Sequence, residues 1–406
     1  MSMAIASSSP WPTMFSKKNS TRRKNGKHLN AHSAMSIKRA CRCKLSSRNL
    51  VSRKLPMPRR PTTRSRNSVP NSAAKSATPM RNDSIRRPAT LDEWESRRDS
   101  LREALWQHLG DVPPVFTPTA TITQRIPRSG YTVEKIEFDN GTGATVYGYL
   151  LLPDNLDAPS PAVLYHHAHG GQYFIGKDEI FNDRITGRPS AMGLLASGYI
   201  VFAIDAYAFG QRQQQGPAGA RESGSETELS LFKQFLWQGS TLWGMMVRDD
   251  MLALNYLLSR SEVDAARVGT TGMSLGGSRA TWLAALDDRI SVAIPVAQMT
   301  RYRDFLATGD LFRHGIYYYI PAILRSEMDM EILVALTAPR PQRIIIGDSD
   351  PLSPIEGVHT IDEYARHVYA LYDASSQFET RIYPGVAHGY TDTMYRDMLA
   401  WFAHYL

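Results

Sequence analysis

The sequence predicts an α/β fold: a mostly parallel central sheet with helices on both faces, led by an antiparallel hairpin. Three observations carry this. From Pro161 onward, short apolar runs alternate with helix-like stretches, which is the pattern of strands buried on both faces. Residues 269–277 read GTTGMSLGG, a strand that must turn sharply into a helix around a serine with glycines two places either side. Two later strands, one apolar and one alternating, run into loops that hold first an aspartate and then a histidine.

Ahead of the sheet, Thr90 to His108 reads as a helix. Thr90 and Glu93 form a capping box, apolar residues recur at Leu91, Trp94, Leu101, Leu105 and Leu109, and Gly110 stops it. It is expected to pack on the main domain. Thr132 to Phe138 and Ala144 to Leu152 are strand-like runs joined across Asn140-Gly141, hence the hairpin. Buried strands follow at Pro161–His167, Tyr199–Asp205, Arg267–Thr271, Ile290–Pro295, Gln342–Ile346 and Phe378–Tyr383. Gln211 to Glu228, rich in Gln, Gly, Ser and charge, reads as a mobile, solvated excursion near the site mouth. Phe232 to Trp243 sets aromatic residues on a helix, and Arg313 to Pro321 (RHGIYYYIP) falls where a cap could be inserted. Both segments are pocket-shaping candidates, with core packing the plainer reading for most of their aromatics.

Gly272-Met273-Ser274-Leu275-Gly276 is a GxSxG nucleophile elbow, flanked by a β-branched strand and by the helix-like SRATWLAAL. Ser274 is the expected nucleophile. A serine hydroxyl needs a general base to take its proton, and the base needs a carboxylate to fix its tautomer. With this elbow the chain order is serine, acid, histidine. Asp350 and His388 are the picks: Asp350 lies past the end of the strand QRIII with proline behind it, and His388 sits in a glycine-closed loop. Asp348 competes for the acid role. His359, His367 and His404 lie in helix-like stretches and read as surface residues, and Asp205, which precedes the elbow, reads as structural.

Acyl transfer also needs N–H donors for the oxyanion. Leu275 supplies one by position, and Gly171, with Gly170 beside it, supplies the other from the histidine-glycine turn after Pro161–His167. His166, His167 and His169 also admit a metal reading, since His167 and His169 would share a strand face. No acid or cysteine stands close to them in sequence, and a serine triad calls for no metal and no cofactor.

From about Thr121 to the C-terminus the chain resembles α/β-hydrolases of the dienelactone hydrolase and acetyl xylan esterase-like group. The marks are Glu262 to Gly269 (EVDAARVG) before the elbow, the step Ala338-Pro339-Arg340-Pro341 before the acid strand, and the order Ser274, Asp350, His388. The resemblance implies an α/β-hydrolase fold and hydrolysis of a carboxylic ester, with small acyl groups on sugars or related alcohols as substrates. It implies no partner beyond that small-molecule or carbohydrate ester. A prolyl oligopeptidase-like peptidase is the runner-up, weakened because about 40 residues between the basic segment and the hairpin leave no room for an accessory propeller. A non-catalytic binding protein on the same fold is the third reading.

Composition divides the chain. Of its 47 Lys and Arg, 18 fall in residues 1–80, which hold no Asp or Glu, so the remainder carries 29 basic against 39 acidic groups, or −10, where the whole chain carries +8. The basic segment cannot form a core. It reads as an organellar transit peptide, as a basic arm for nucleic acid or anionic membrane, or as residues ahead of a start at Met80. The expected organisation is a tail at 1–80, a helical extension at 81–120 and a catalytic domain at 121–406, the last with no nucleic-acid role. Location follows the tail: an organellar matrix if it is a transit peptide, the cytoplasm if translation starts at Met80. No secretory signal is seen, Cys41 and Cys43 are the only cysteines, and no apolar run approaches the eighteen residues of a transmembrane helix. A chain beginning at Met80 should be soluble and fully active; precipitation or loss of activity on truncation would show that the tail contributes a packed layer.

Overall fold

Strands that read as unbroken apolar runs occupy the middle of the sheet, and strands that alternate lie toward one edge. The computed structural model describes residues 85–406 apart from 157, 158 and 327, so the basic tail and both cysteines lie outside the described residues. After helix α1 (Leu91–Leu109), three antiparallel strands follow: β1 (Thr121–Arg128), β2 (Tyr131–Asp139) and β3 (Thr145–Pro153). Then come β4 (Ser160–His166), α2 (Ser190–Ala196), β5 (Ile200–Ile204), α3 (Ser225–Trp237), α4 (Leu242–Leu258) and β6 (Val263–Met273). The chain closes with α5 (Leu275–Leu286), β7 (Val292–Val296), α6 (Tyr302–Thr308), α7 (Met330–Ala335), β8 (Gln342–Gly347), α8 (Ile355–Leu371), β9 (Phe378–Tyr383) and α9 (Asp392–Tyr405).

The nine strands form one sheet in the order β1-β2-β3-β5-β4-β6-β7-β8-β9. β3 meets β5 antiparallel, and every pair from β5 to β9 is parallel. All six of those strands therefore end on the same edge, where open α/β sheets place their sites. Side chains of β4 alternate between two cores. Ala162 and Leu164 join the cluster built with α1, α4, α5, α7 and α8, whereas Val163 and Tyr165 join the one built with α2 and α9. The sheet is thus covered on both faces. Helix α1 docks through Trp94, edge-on to Tyr364 of α8 at 6.5 Å, and its last carbonyl, on Leu109, accepts the Thr241 hydroxyl at 2.9 Å.

Two expectations are corrected. Phe232–Trp243 is not one helix: α3 ends at Trp237, the chain turns at Gly239 (φ +83°), and α4 starts afresh with the Thr241 hydroxyl accepting the Gly244 N–H at 2.9 Å. Trp243 is buried, but Trp237 is 91% exposed. Gln211–Glu228 is solvated along much of its length, as expected, but it is anchored at several points and is not a loose excursion. Arg212 is fully buried, donating to the Asp205 carbonyl (3.1 Å) and pairing with Asp249 (2.9 Å), while Gln215 Nε2 donates to the Thr145 carbonyl (3.0 Å). Polar side chains that find buried partners elsewhere in the chain anchor the segment.

Candidate active site

Ser274 sits between β6 and α5 at φ 57°, ψ −116°, a strained conformation for a residue with a Cβ. The flanking glycines are demanded by space. A Cβ on Gly272 would lie 2.2 Å from the His166 carbonyl oxygen of β4, and one on Gly276 would lie 2.0 Å from the same atom. The turn can therefore press against the neighbouring strand only if both positions lack side chains.

Beneath the turn, a buried polar chain joins β4, α4 and α5. His166 stands 3.3 Å from Asp250, and Arg279 Nε donates to Asp250 at 2.9 Å. Asp250 is buried, yet Arg279 and His166 hold its carboxyl down at about 2. Burial in turn pushes the His166 imidazole below its usual value.

The structure brings Ser274, His388 and Asp350 into one hydrogen-bonded line. His388 Nε2 lies 2.9 Å from Ser274 Oγ, and its Nδ1 lies 2.7 Å from Asp350 Oδ2. The Asp350 side chain is wholly buried, and its other oxygen accepts the Leu352 N–H at 2.9 Å. Asp348 has a different task. Its Oδ1 accepts the Gly385 N–H at 2.7 Å, stapling the loop that carries His388. Gly347 lets that loop cross the end of β8, because a Cβ there would meet the Val386 carbonyl oxygen at 2.0 Å.

Leu275 N–H opens α5, where backbone donors lack helical partners and the helix dipole favours negative charge. Gly171 lines the pocket that holds Ser274 and His388, but its N–H does not stand free for an oxyanion: it donates to His169 Nδ1 at 3.1 Å. His169 Nε2 then donates to the buried Glu228 (3.2 Å), which also accepts the Tyr173 hydroxyl (2.8 Å). The three clustered histidines diverge. His166 turns to Thr270 and Asp250, His167 accepts the Ala206 N–H at 3.0 Å, and His169 faces Glu228. Asp205 joins the loops after β4 and β5, accepting the Lys177 ammonium (2.7 Å) and the Gln211 N–H (3.0 Å). Of the helical histidines, His359 and His404 are exposed, and His367 meets the Pro88 carbonyl at 2.6 Å.

Comparison with known proteins agrees with this architecture. Residues 75–350 match the model of the Abhydrolase family. The chain is also 36% identical over 300 residues to the Bacillus subtilis (strain 168) protein named "Putative hydrolase YtaP", covering 70% of this chain and 95% of that one. The chain belongs to the Abhydrolase family. Its fold is that of an α/β-hydrolase, shared with a "putative acetyl xylan esterase" from Bacteroides fragilis NCTC 9343 (TM-score 0.57, 22% identity, 74% of this chain and 78% of that one). It is shared also with a glucuronoyl esterase from Solibacter usitatus (TM-score 0.59, 15% identity, 77% and 93%).

In this Abhydrolase family member, the described residues between β7 and α7 form one side of the site, the cap. The cap brings His314 and Tyr317 to the pocket of Ser274, joined by Gln298 at the end of β7. Gln298 and Glu228 carried no sequence signal, since each is marked only by the partner it meets in the fold. His314 is pushed down to about 4 by burial. A base whose folded value lies below its unfolded value of 6.5 contributes stability that is present above 6.5 and is lost as pH falls toward 4. The stability of the wild type relative to His314→Phe should therefore fall by ~2 kcal/mol across that window, allowing for partial exposure. Denaturant titrations of both proteins at several pH values check this, and a difference that stays flat would contradict it.

Proposed function

We propose that the protein is a serine hydrolase that cleaves a carboxylic ester through an acyl-serine intermediate. The observation that carries the proposal is the line Ser274 Oγ, His388, Asp350, with contacts of 2.9 and 2.7 Å at the C-terminal edge of the sheet. Ser274 Oγ attacks the ester carbonyl carbon while His388 Nε2 takes its proton. Asp350 holds the His388 Nδ1–H and stabilises the imidazolium. Leu275 N–H stabilises the oxyanion, and Gly171 N–H joins it only by leaving His169 Nδ1. The tetrahedral intermediate collapses as His388 passes its proton to the leaving alkoxide. Water, deprotonated by His388, then attacks the acyl-serine, and the acid departs as Ser274 recovers its proton.

The pocket that holds Ser274 and His388 measures about 200 Å³, which suits a small acyl group such as acetyl. The esterases among the structural neighbours support an ester over a peptide bond. Labelling with a fluorophosphonate probe, combined with hydrolysis of p-nitrophenyl acetate and acetylated sugars, tests the proposal. Labelling should fall on Ser274 and be lost in His388→Ala. A chain that is neither labelled nor active would point to a binding protein on a hydrolase fold.

A further inference from the structure

The pocket at Ser274 is small, and a larger one lies beside it inside the cap. This second cavity holds about 340 Å³ and is almost wholly apolar, walled by Phe305, Leu311, Ile320, Ile323 and Leu324. The cavity is partly open to solvent, so a ligand can reach it, and its apolar walls are left without packing partners. An apolar space of this size next to a reacting serine has the dimensions of a ligand site.

What separates the two spaces is chiefly His314, which lines both. Its ring lies flat on Tyr318 (4.8 Å between centroids, 16° between planes) and edge-on to Phe305 (4.7 Å). Its Nε2 is 3.3 Å from Thr300 Oγ1, a long contact for a hydrogen bond. Tyr318 is held more firmly, since its hydroxyl accepts the Gln298 Nε2–H at 3.1 Å. The partition therefore has one anchored ring, Tyr318, and one, His314, restrained by stacking, the long Thr300 contact and a hydrogen bond to the Leu352 backbone. Burial keeps the His314 imidazole uncharged at neutral pH, so its face borders an apolar space without stranding a charge there.

We propose that the cap cavity is a second substrate subsite, which takes the hydrocarbon or aryl part of an ester whose carbonyl lies at Ser274, and that His314 controls passage into it. The inference rests on the serine hydrolase reading and deepens it. The substrate is an ester with one small side and one apolar side, and the cap selects the apolar side. His314 acts on specificity and takes no part in bond making.

Two substrate series measured with wild type, His314→Ala and Leu324→Trp test this. One is p-nitrophenyl acetate, butyrate, hexanoate and octanoate, which lengthens the acyl side. The other is ethyl, butyl, hexyl and octyl acetate, which lengthens the alcohol side. In one of the two series kcat/KM should rise with chain length by about fourfold per methylene until the cavity fills. His314→Ala should extend that rise to longer chains, and Leu324→Trp should flatten it. Fluorophosphonate labelling of Ser274 reports whether each variant is folded, and Leu311→Trp replaces Leu324→Trp if the latter is not labelled. The inference is overturned if both series are flat or falling beyond four carbons in the wild type, or if a labelled, cavity-filled variant keeps the full rise. If the wild type itself is neither labelled nor active on acetate, the serine hydrolase reading fails instead.

Discussion

Replacing Ser274 by alanine should abolish turnover, with kcat falling on the order of 10⁴-fold or more, while the thermal unfolding curve stays close to that of the wild type. The hydroxyl is the only group removed. It is half-buried and engages His388, so no cavity opens in the core and no buried charge loses its partner. Alanine also meets the same backbone conformation at φ 57° that serine does, leaving the elbow no more strained than before. Measured kcat on p-nitrophenyl acetate, set beside a circular dichroism melt, checks both halves. Near-normal turnover would rule out Ser274 as the nucleophile.

Asp350→Asn should cost nearly as much, also about 10⁴-fold in kcat, although the side chain keeps its shape. An asparagine can turn its amide N–H₂ toward His388 Nδ1, making that nitrogen an acceptor. The ring proton then moves to Nε2, which faces Ser274 and can no longer take its proton. Asp348→Asn tests the competing assignment. Its carbonyl oxygen can still accept the Gly385 N–H that Asp348 now holds at 2.7 Å, so the loss should stay within about tenfold. The reverse ranking would move the acid of the triad by two residues.

The parts of this molecule legible in the sequence are those fixed by local spacing. The elbow could be read because two glycines at fixed offsets answer a single constraint, the nearness of the His166 carbonyl. The central strands could be read because burial on both faces demands uninterrupted apolar runs, as in Ile200–Ile204 and Val292–Val296. By contrast, β1 carries an exposed pattern with Gln124 and Arg125 in mid-strand, and it is held mainly by pairing with β2, so no periodicity announces it. The order imposed on Gln211–Glu228 was hidden for another reason: Arg212 is paid for by Asp249 and the Asp205 carbonyl, partners that only folding brings near. The same holds for Glu228 and His169, 59 positions apart. His169 was visible as part of a cluster, but its acceptor was not, and that acceptor decides where the Gly171 N–H points.

The cap between β7 and α7 supplies none of Ser274, Leu275, Asp350 or His388. All four stand on the ends of β6, β8 and β9, or on the helix that follows β6. The proposed reacting groups and the pocket walls contributed by His314 and Tyr317 are thus encoded in separate stretches of chain. Within residues 302–325 the exposed positions, such as Leu306 and Phe312, are the ones free to vary, whereas Tyr317, Tyr318, Ile320 and Ile323 belong to the main core and tie the segment to Trp243 of α4. Selection, or an engineer, can therefore reshape the pocket walls at residues such as His314 and Leu324 with the strand ends left in place.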